Sequence, residues 1–182
     1  SISLPPSWVG YVPAEDGVGR YREALVDELA TGAAEPEAAA LIEQLVSSNA
    51  VGSIELVGVG PVSVSRESDA SSEDYASMTL NSVPRHGLTI AQYIEALASR
   101  LPVEAKDIES NIGYLDGTDE LSGWLQFSLP QKGGEVWFTY RQQVNLTADG
   151  NQLLLLSISA ASEAWDESEQ EIDAILKSLK LE

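Results

Sequence analysis

The stretch LSGWLQFSLPQKGGEVWFTYRQQVNLTADGNQLLLLSISA, residues 121–160, decides the fold. Its apolar residues recur at every second position. Leu125, Phe127 and Leu129 share one side of the first run, and Val136, Phe138, Tyr140, Gln142 and Val144 share one side of the second. Successive strand side chains point to opposite faces, so this period marks half-buried β-strands over 121–129 and 135–146. The breaks between the runs are turn chemistry. Pro130 to Gly134 contains Gly133-Gly134, and Asp149-Gly150 is the strongest hairpin signal in the chain. The last run, 153–160, opens with four consecutive leucines. It predicts a strand apolar on both faces and covered on both sides.

Toward the C-terminus, Ile172, Ile175, Leu176 and Leu179 have helical spacing and predict a closing helix over 167–179. Asp166, Glu167, Glu169 and Glu171 then fall at its start and Lys177 and Lys180 at its end, the distribution that the helix dipole favours. Toward the N-terminus, 106–115 predicts one more strand before an Asp116-Gly117 turn. Ahead of it, Thr89 and Gln92 form a capping box, with Leu88 and Tyr93 placed as a hydrophobic staple. Ile90, Ile94, Leu97 and Leu101 make the apolar face of the helix that follows, and Pro102 stops it. Residues 75–83 alternate like a strand, 65–74 read as a solvated loop, and 53–64 as one or two strands. A helix starts at Glu35-Pro36-Glu37 and runs through Ser48, preceded by a short helix or strand-like turn over 20–30. The stretch 1–12 begins as a short strand that Pro5-Pro6 stops. Helices, then a meander of about four strands, then a packed helix predict one α+β domain spanning 1–182, with a central antiparallel β-sheet flanked by α-helices.

Charge narrows the function classes. Twenty-nine acidic residues against ten basic ones give a formal charge of -19. Nucleic-acid binding is not expected, because phosphate backbones need clustered cations. An anionic membrane surface would repel the chain for the same reason. A basic partner or metal cations would be attracted, although acidity on this scale also serves solubility alone. The chain has no cysteine, so disulfides, thiolate nucleophiles and Cys-ligated metals are excluded. No apolar run of about 18 residues occurs, so no transmembrane helix is expected. The chain begins at Ser1 without a methionine, and a signal peptide or lipid-anchor segment upstream is an expectation.

Catalytic signatures are sparse. Nothing matches Gly-x-Ser-x-Gly, His-Glu-x-x-His or a phosphate-binding Gly-Lys-Ser loop. His86, the only histidine, falls in a turn at Pro84-Arg85-His86-Gly87. Asp116, Asp119 and Glu120, and the acids of 65–74, offer hard oxygen ligands without the spacing of an EF-hand. They predict plain acidic loops, and no cofactor or metal is expected. Asn145-Leu146-Thr147 is a formal glycosylation sequon inside a strand. Trp124 and Trp137 occupy the alternate strand positions opposite Leu125 and Phe138. Together with Tyr140 they are the candidate partner-binding residues; packing against the sheet or a helix is the competing reading.

The order of features resembles one superfamily. Its marks here are Leu4-Pro5-Pro6-Ser7-Trp8, the strand and capped helix of 75–101, Tyr140-Arg141 before an Asp149-Gly150 turn, and the closing Ile175-Leu176-Lys177-Ser178-Leu179. This resembles the PsbP-like fold, shared by photosystem II extrinsic subunits, Mog-type Ran-binding proteins, LpqN-type bacterial lipoproteins and DcrB-type proteins. The resemblance implies a central antiparallel sheet flanked by helices, a role in protein binding or assembly, and no enzymology. It also implies export, often as a lipoprotein. The expectation is therefore a monomeric, non-catalytic extracytoplasmic accessory protein, with a lipoprotein ectodomain as one form of it, binding an unknown protein or small ligand. The competing classes are a hydrolase with paired carboxylates and an intracellular chaperone-like adaptor.

Overall fold

The structure is a computed structural model that describes residues 2–5, 8–11, 53–61, 75–114, 121–131 and 134–179. The two helices expected in 20–48, the loop of 65–74 and the acids Asp116, Asp119 and Glu120 lie outside the described residues. Seven strands form one sheet: β1 (Val9–Tyr11), β2 (Ser53–Pro61), β3 (Tyr75–Pro84), β4 (Lys106–Tyr114), β5 (Leu121–Pro130), β6 (Trp137–Leu146) and β7 (Gln152–Ala161). The helices of the described residues are α1 (Ile90–Ala98), between β3 and β4, and α2 (Ser162–Ser178), after β7.

The sheet order is β1-β2-β3-β7-β6-β5-β4, with every pair antiparallel. Two meanders, β1 to β3 and β4 to β7, are joined by the pairing of β3 with β7. Of the three turns expected within the second meander, those before β6 and β7 join antiparallel neighbours, with Gly134 at φ +83° and Gly150 at φ +71°, a region glycine enters freely; the Asp116-Gly117 turn lies outside the described residues. β7 therefore lies between β3 and β6, the central, doubly covered place that its leucine run predicts.

Register assigns the faces. Val144 pairs with Leu155, Leu125 with Gln142 and Phe127 with Tyr140, so these side chains share one face. On it α1 packs, and Ile90, Ile94, Leu125, Phe127, Val144 and Leu153 form a buried cluster. The helix starts where the capping box puts it. The Thr89 hydroxyl accepts from Gln92 N–H, and the Gln92 side chain accepts from Thr89 N–H. α1 ends at Ala98, a turn short of Leu101. The close approach is made at Gly123, where a Cβ would sit 2.4 Å from Ile94 Cδ1.

The opposite face carries α2. Ile172, Ile175, Leu176, Ala164 and Trp165 bury against Trp8, Met78, Leu156, Ile158 and Ala160. α2 starts at Ser162, five residues before the expected position, and follows β7 without a loop. Its first turn holds Glu163 and the buried Ala164 and Trp165. Asp166, Glu167 and Glu169 lie further along, on the exposed side. The apolar stripe begins earlier than the acidic cluster, and burial of Trp165 decides the start.

Candidate functional site

Alternation along β6 puts Trp137, Thr139, Arg141, Gln143 and Asn145 on the face that bears α2, and β5 adds Trp124, Gln126 and Ser128 to the same face. Here the sheet is polar where the neighbouring β3 and β7 are apolar. Trp124 and Trp137, both half-buried, are thus brought to one face. Tyr140 points to the other, where it stacks on Phe127 with ring centroids 5.3 Å apart. Burial pushes its phenol above the ordinary tyrosine value. The three candidate residues form no common patch.

Trp124 and Trp137 are each capped by one of the chain's own cations. Lys106 Nζ lies 3.6 Å from the centre of the Trp137 ring, and the Arg141 guanidinium carbon 4.7 Å from that of Trp124. Both are cation–π distances. Arg141 Nη1 donates to Asp173 Oδ1 of α2 at 3.0 Å, and Lys177 reaches Asp173 Oδ2 at 3.7 Å. The guanidinium is therefore held between an indole and a helix carboxylate. The sequence signal for this arrangement was the alternation of β6, which puts Arg141 in line with Trp137. The partner Asp173 gave no signal, because it follows from how α2 is seated.

The remaining polar groups of the face mostly satisfy one another. Ser128 and Thr139 hydroxyls lie 3.3 Å apart, and Thr139 and Ser162 hydroxyls 2.9 Å apart. Gln143 Nε2 donates to Asn145 Oδ1 at 3.4 Å. Asn145 is completely buried. Its amide nitrogen is therefore out of reach of any glycosyl transferase in the folded chain, and the sequon is structural. Its Nδ2 and the Arg141 Nε have no hydrogen-bond partner.

The other sequence candidates stand apart from this face. His86 is exposed in its turn at φ +51°. The turn is fixed by Arg85, which donates to the carbonyls of Leu88 and Gly150. Asp149 accepts from Thr147 and Asn151 and organises the β6–β7 turn. Among the described residues no group of three or more His, Asp or Glu is placed to hold a metal ion. Among them, too, no helix is long and apolar enough to cross a membrane. The α2 face presents tryptophan and arginine, residue types enriched where proteins bind one another.

The described residues define an α+β protein built on a seven-stranded antiparallel sheet with a helix on each face. Among solved structures, the chain is similar to the solution structure of cyanobacterial PsbP (CyanoP) from Synechocystis sp. PCC 6803. The identity is 11% and the TM-score 0.49, over 100% of this chain and 85% of that one. No family model matches the chain, and no curated protein does.

Proposed function

We propose that the chain is a non-catalytic accessory module that binds a partner protein through the α2 face of its sheet, with Trp124 and Trp137 at the centre of contact. The observation that carries this reading is the pair of half-buried indoles held in fixed orientation by Arg141 and Lys106. A preordered aromatic surface loses little side-chain freedom on association. Tyr140 enters only as packing beneath the opposite face. Placement outside the cytoplasm, with a lipid anchor as one form of it, and the narrower kinship with LpqN- or DcrB-type proteins belong to the same proposal. They rest on the resemblance in sequence.

The test is affinity capture from envelope extracts with the native protein, run beside Trp124→Ser and Trp137→Ser variants whose unfolding midpoints match the parent. A partner retained by the parent and lost by both variants is the expected result. Equal retention by all three removes the indoles from the interface. Turnover on a panel of glycoside and ester substrates, abolished by a single Asp→Asn or Glu→Gln change, would replace the binding reading with the hydrolase one.

A further inference from the structure

β4 is the outermost strand of the sheet on its side, paired with β5 and with nothing beyond it in the sheet order. Every residue from Lys106 to Gly113 is exposed, so this edge is open along its length. Exposed edges offer rows of unpaired backbone groups, and proteins normally blunt them. Blunting of the backbone register is confined to one end. Between Lys106 and Glu109 the register slips, with Asp107 at φ +52°, whereas from Glu109 to Tyr114 the pairing with β5 is unbroken. Within that regular stretch the Ile112 N–H donates to the Asn111 side-chain oxygen at 2.8 Å, a local bond that an added strand would replace. That contact shows the N–H pointing away from β5. Backbone groups two residues apart in a strand point the same way, so Ser110 presents its N–H and C=O to the same open side.

The side chains complete the pattern. Ile112 lies opposite Gly123, beside the α1 cluster, and alternation puts Ser110 on that face with it, while Ile108 lies within the register slip. Both isoleucines remain about half exposed, at 43% and 50%. The other face of the edge presents Glu109 and Asn111, paired with Gln126 and Trp124. From Glu104 to Tyr114 three carboxylates face one ammonium, and that ammonium already sits over Trp137. The chain as a whole carries -19.

We propose that the β4 edge accepts an extended, basic segment of the partner protein as an added strand. Aliphatic side chains of that segment would flank Ile108 and Ile112, and its lysines or arginines would lie beside Glu109. Strand addition draws affinity from main-chain hydrogen bonds and selectivity from alternate side chains. This deepens the binding reading above and rests on it, because the α2 face continues across β5 to this edge. A second copy is the competing occupant. Pairing β4 with itself about Ser110 would set Ile108 against Ile112, but it would also bring together two chains of charge -19.

The two occupants respond oppositely to salt. The probe is an eight-residue peptide of alternating lysine and valine, compared with one of equal charge in which two valines are proline. The readout is amide hydrogen exchange by NMR at low ionic strength. With the alternating peptide at saturation, exchange at Ser110 and Ile112 should slow roughly tenfold or more. The proline peptide should give no protection, and added salt should weaken the effect. Ile112→Pro removes the outward N–H, and Ile108→Lys repels the peptide while leaving the backbone intact. Both should abolish protection at an unchanged unfolding midpoint.

Equal protection by the two peptides, or none on β4, overturns the proposal. Protection that appears without peptide and grows with salt overturns it in favour of self-pairing. If the Ile108→Lys chain still retains a partner that depends on Trp124 and Trp137, the edge assignment fails while the accessory reading stands. If the parent chain retains no partner at all, the accessory reading itself fails, whatever the peptide does.

Discussion

The two faces of the sheet build their apolar parts on different halves of the same sheet. On the α2 face the apolar part lies over β3 and β7, with Met78, Leu156, Ile158 and Ala160, and the polar part over β5 and β6. On the α1 face the order is reversed. Leu125, Phe127, Val144 and Leu153 lie under α1, whereas β3 and β7 contribute Ser77, Thr79, Asn81, Ser157 and Ser159. β7 joins both patterns, which is why it carries leucine at all of 153–156 and alternates from Ser157. Among the described residues, each face carries one helix over its apolar quadrant. The quadrant left over on the α2 face is the one that carries the tryptophan–cation pairs. The proposed binding surface would thus be a by-product of offset packing.

The sharpest way to break this comparison is to hollow each core in turn. Trp165→Ala on the α2 side should cost about 3–5 kcal/mol, and Ile94→Ala on the α1 side about 2–5 kcal/mol, both read as shifts in a urea unfolding midpoint. A near-zero cost for Ile94→Ala would mean that α1 does not seal its face. Overpacking separates the sides more finely. A Cβ at Gly60 meets the Trp8 indole at 2.3 Å, whereas one at Gly123 meets the movable tip of Ile94 at 2.4 Å. Both Ala substitutions fall in the range of about 1–3 kcal/mol, with Gly60→Ala the larger because an indole cannot rotate a methyl aside. Equal losses would show that α1 holds Ile94 as rigidly as the sheet holds Trp8.

These contrasts were unequally legible in the sequence. The meander from 121 to 160 was plain, because alternation and Gly-containing turns act within a few residues of one another. So was α1, through Thr89 and Gln92. The pairing of β3 with β7 was not, since nothing local to Ser77 or Ser159 announces that they will meet. The start of α2 was misplaced because Ala161 and Ser162 make no side-chain cap and the acids at 166–171 imitate a first turn. The likeness between Trp124 and Trp137 was readable from alternation. Their separation from Tyr140 was implicit in the same period, since positions 137 and 140 differ by an odd number. Arg141 followed from the same alternation, but Lys106 did not, because it lies beyond the register slip at Asp107, which leaves no periodic trace.

On the polar quadrant the expected effects are smaller. Arg141→Ala removes an ion pair whose partners are 16% and 39% exposed, together with the contact over Trp124. The loss should be about 1 kcal/mol, because exposed pairs contribute little and Lys177 still attends Asp173. Tryptophan fluorescence should shift to longer wavelength as Trp124 gains water. An unchanged spectrum would indicate that the indole is sheltered by something other than the guanidinium. At alkaline pH the α1 side should weaken through Tyr140. Its folded phenol titrates above the unfolded one because burial disfavours the anion. That contribution is complete below the unfolded value near 10 and is lost as pH rises through the folded one. Absorbance titration of the phenolate, with and without Tyr140→Phe, checks it.

The smallest effect belongs to the β6–β7 turn, where the polar groups touch neither core. The Asp149 carboxyl is held below its ordinary value, chiefly by the Thr147 hydroxyl at 2.7 Å and then by the backbone and side-chain N–H groups of Asn151. Hydrogen bonds to the charged form favour that form. The folded chain therefore binds the proton less readily than the unfolded one. The turn's contribution is present above the unfolded carboxyl value and fades as pH falls through the folded one. Asp149 is exposed, so solvent competes for the same bonds and the change in global stability should be slight. The direct measurement is an NMR titration of the Asp149 carboxyl in the parent and in Thr147→Val. Deleting the hydroxyl should move its midpoint upward toward that of a free aspartate while Trp165 and Ile94 report no change in either core. A midpoint that stays put would assign the shift to Asn151, and a response in the Ile94 cluster would show that the turn and the α1 face are coupled after all.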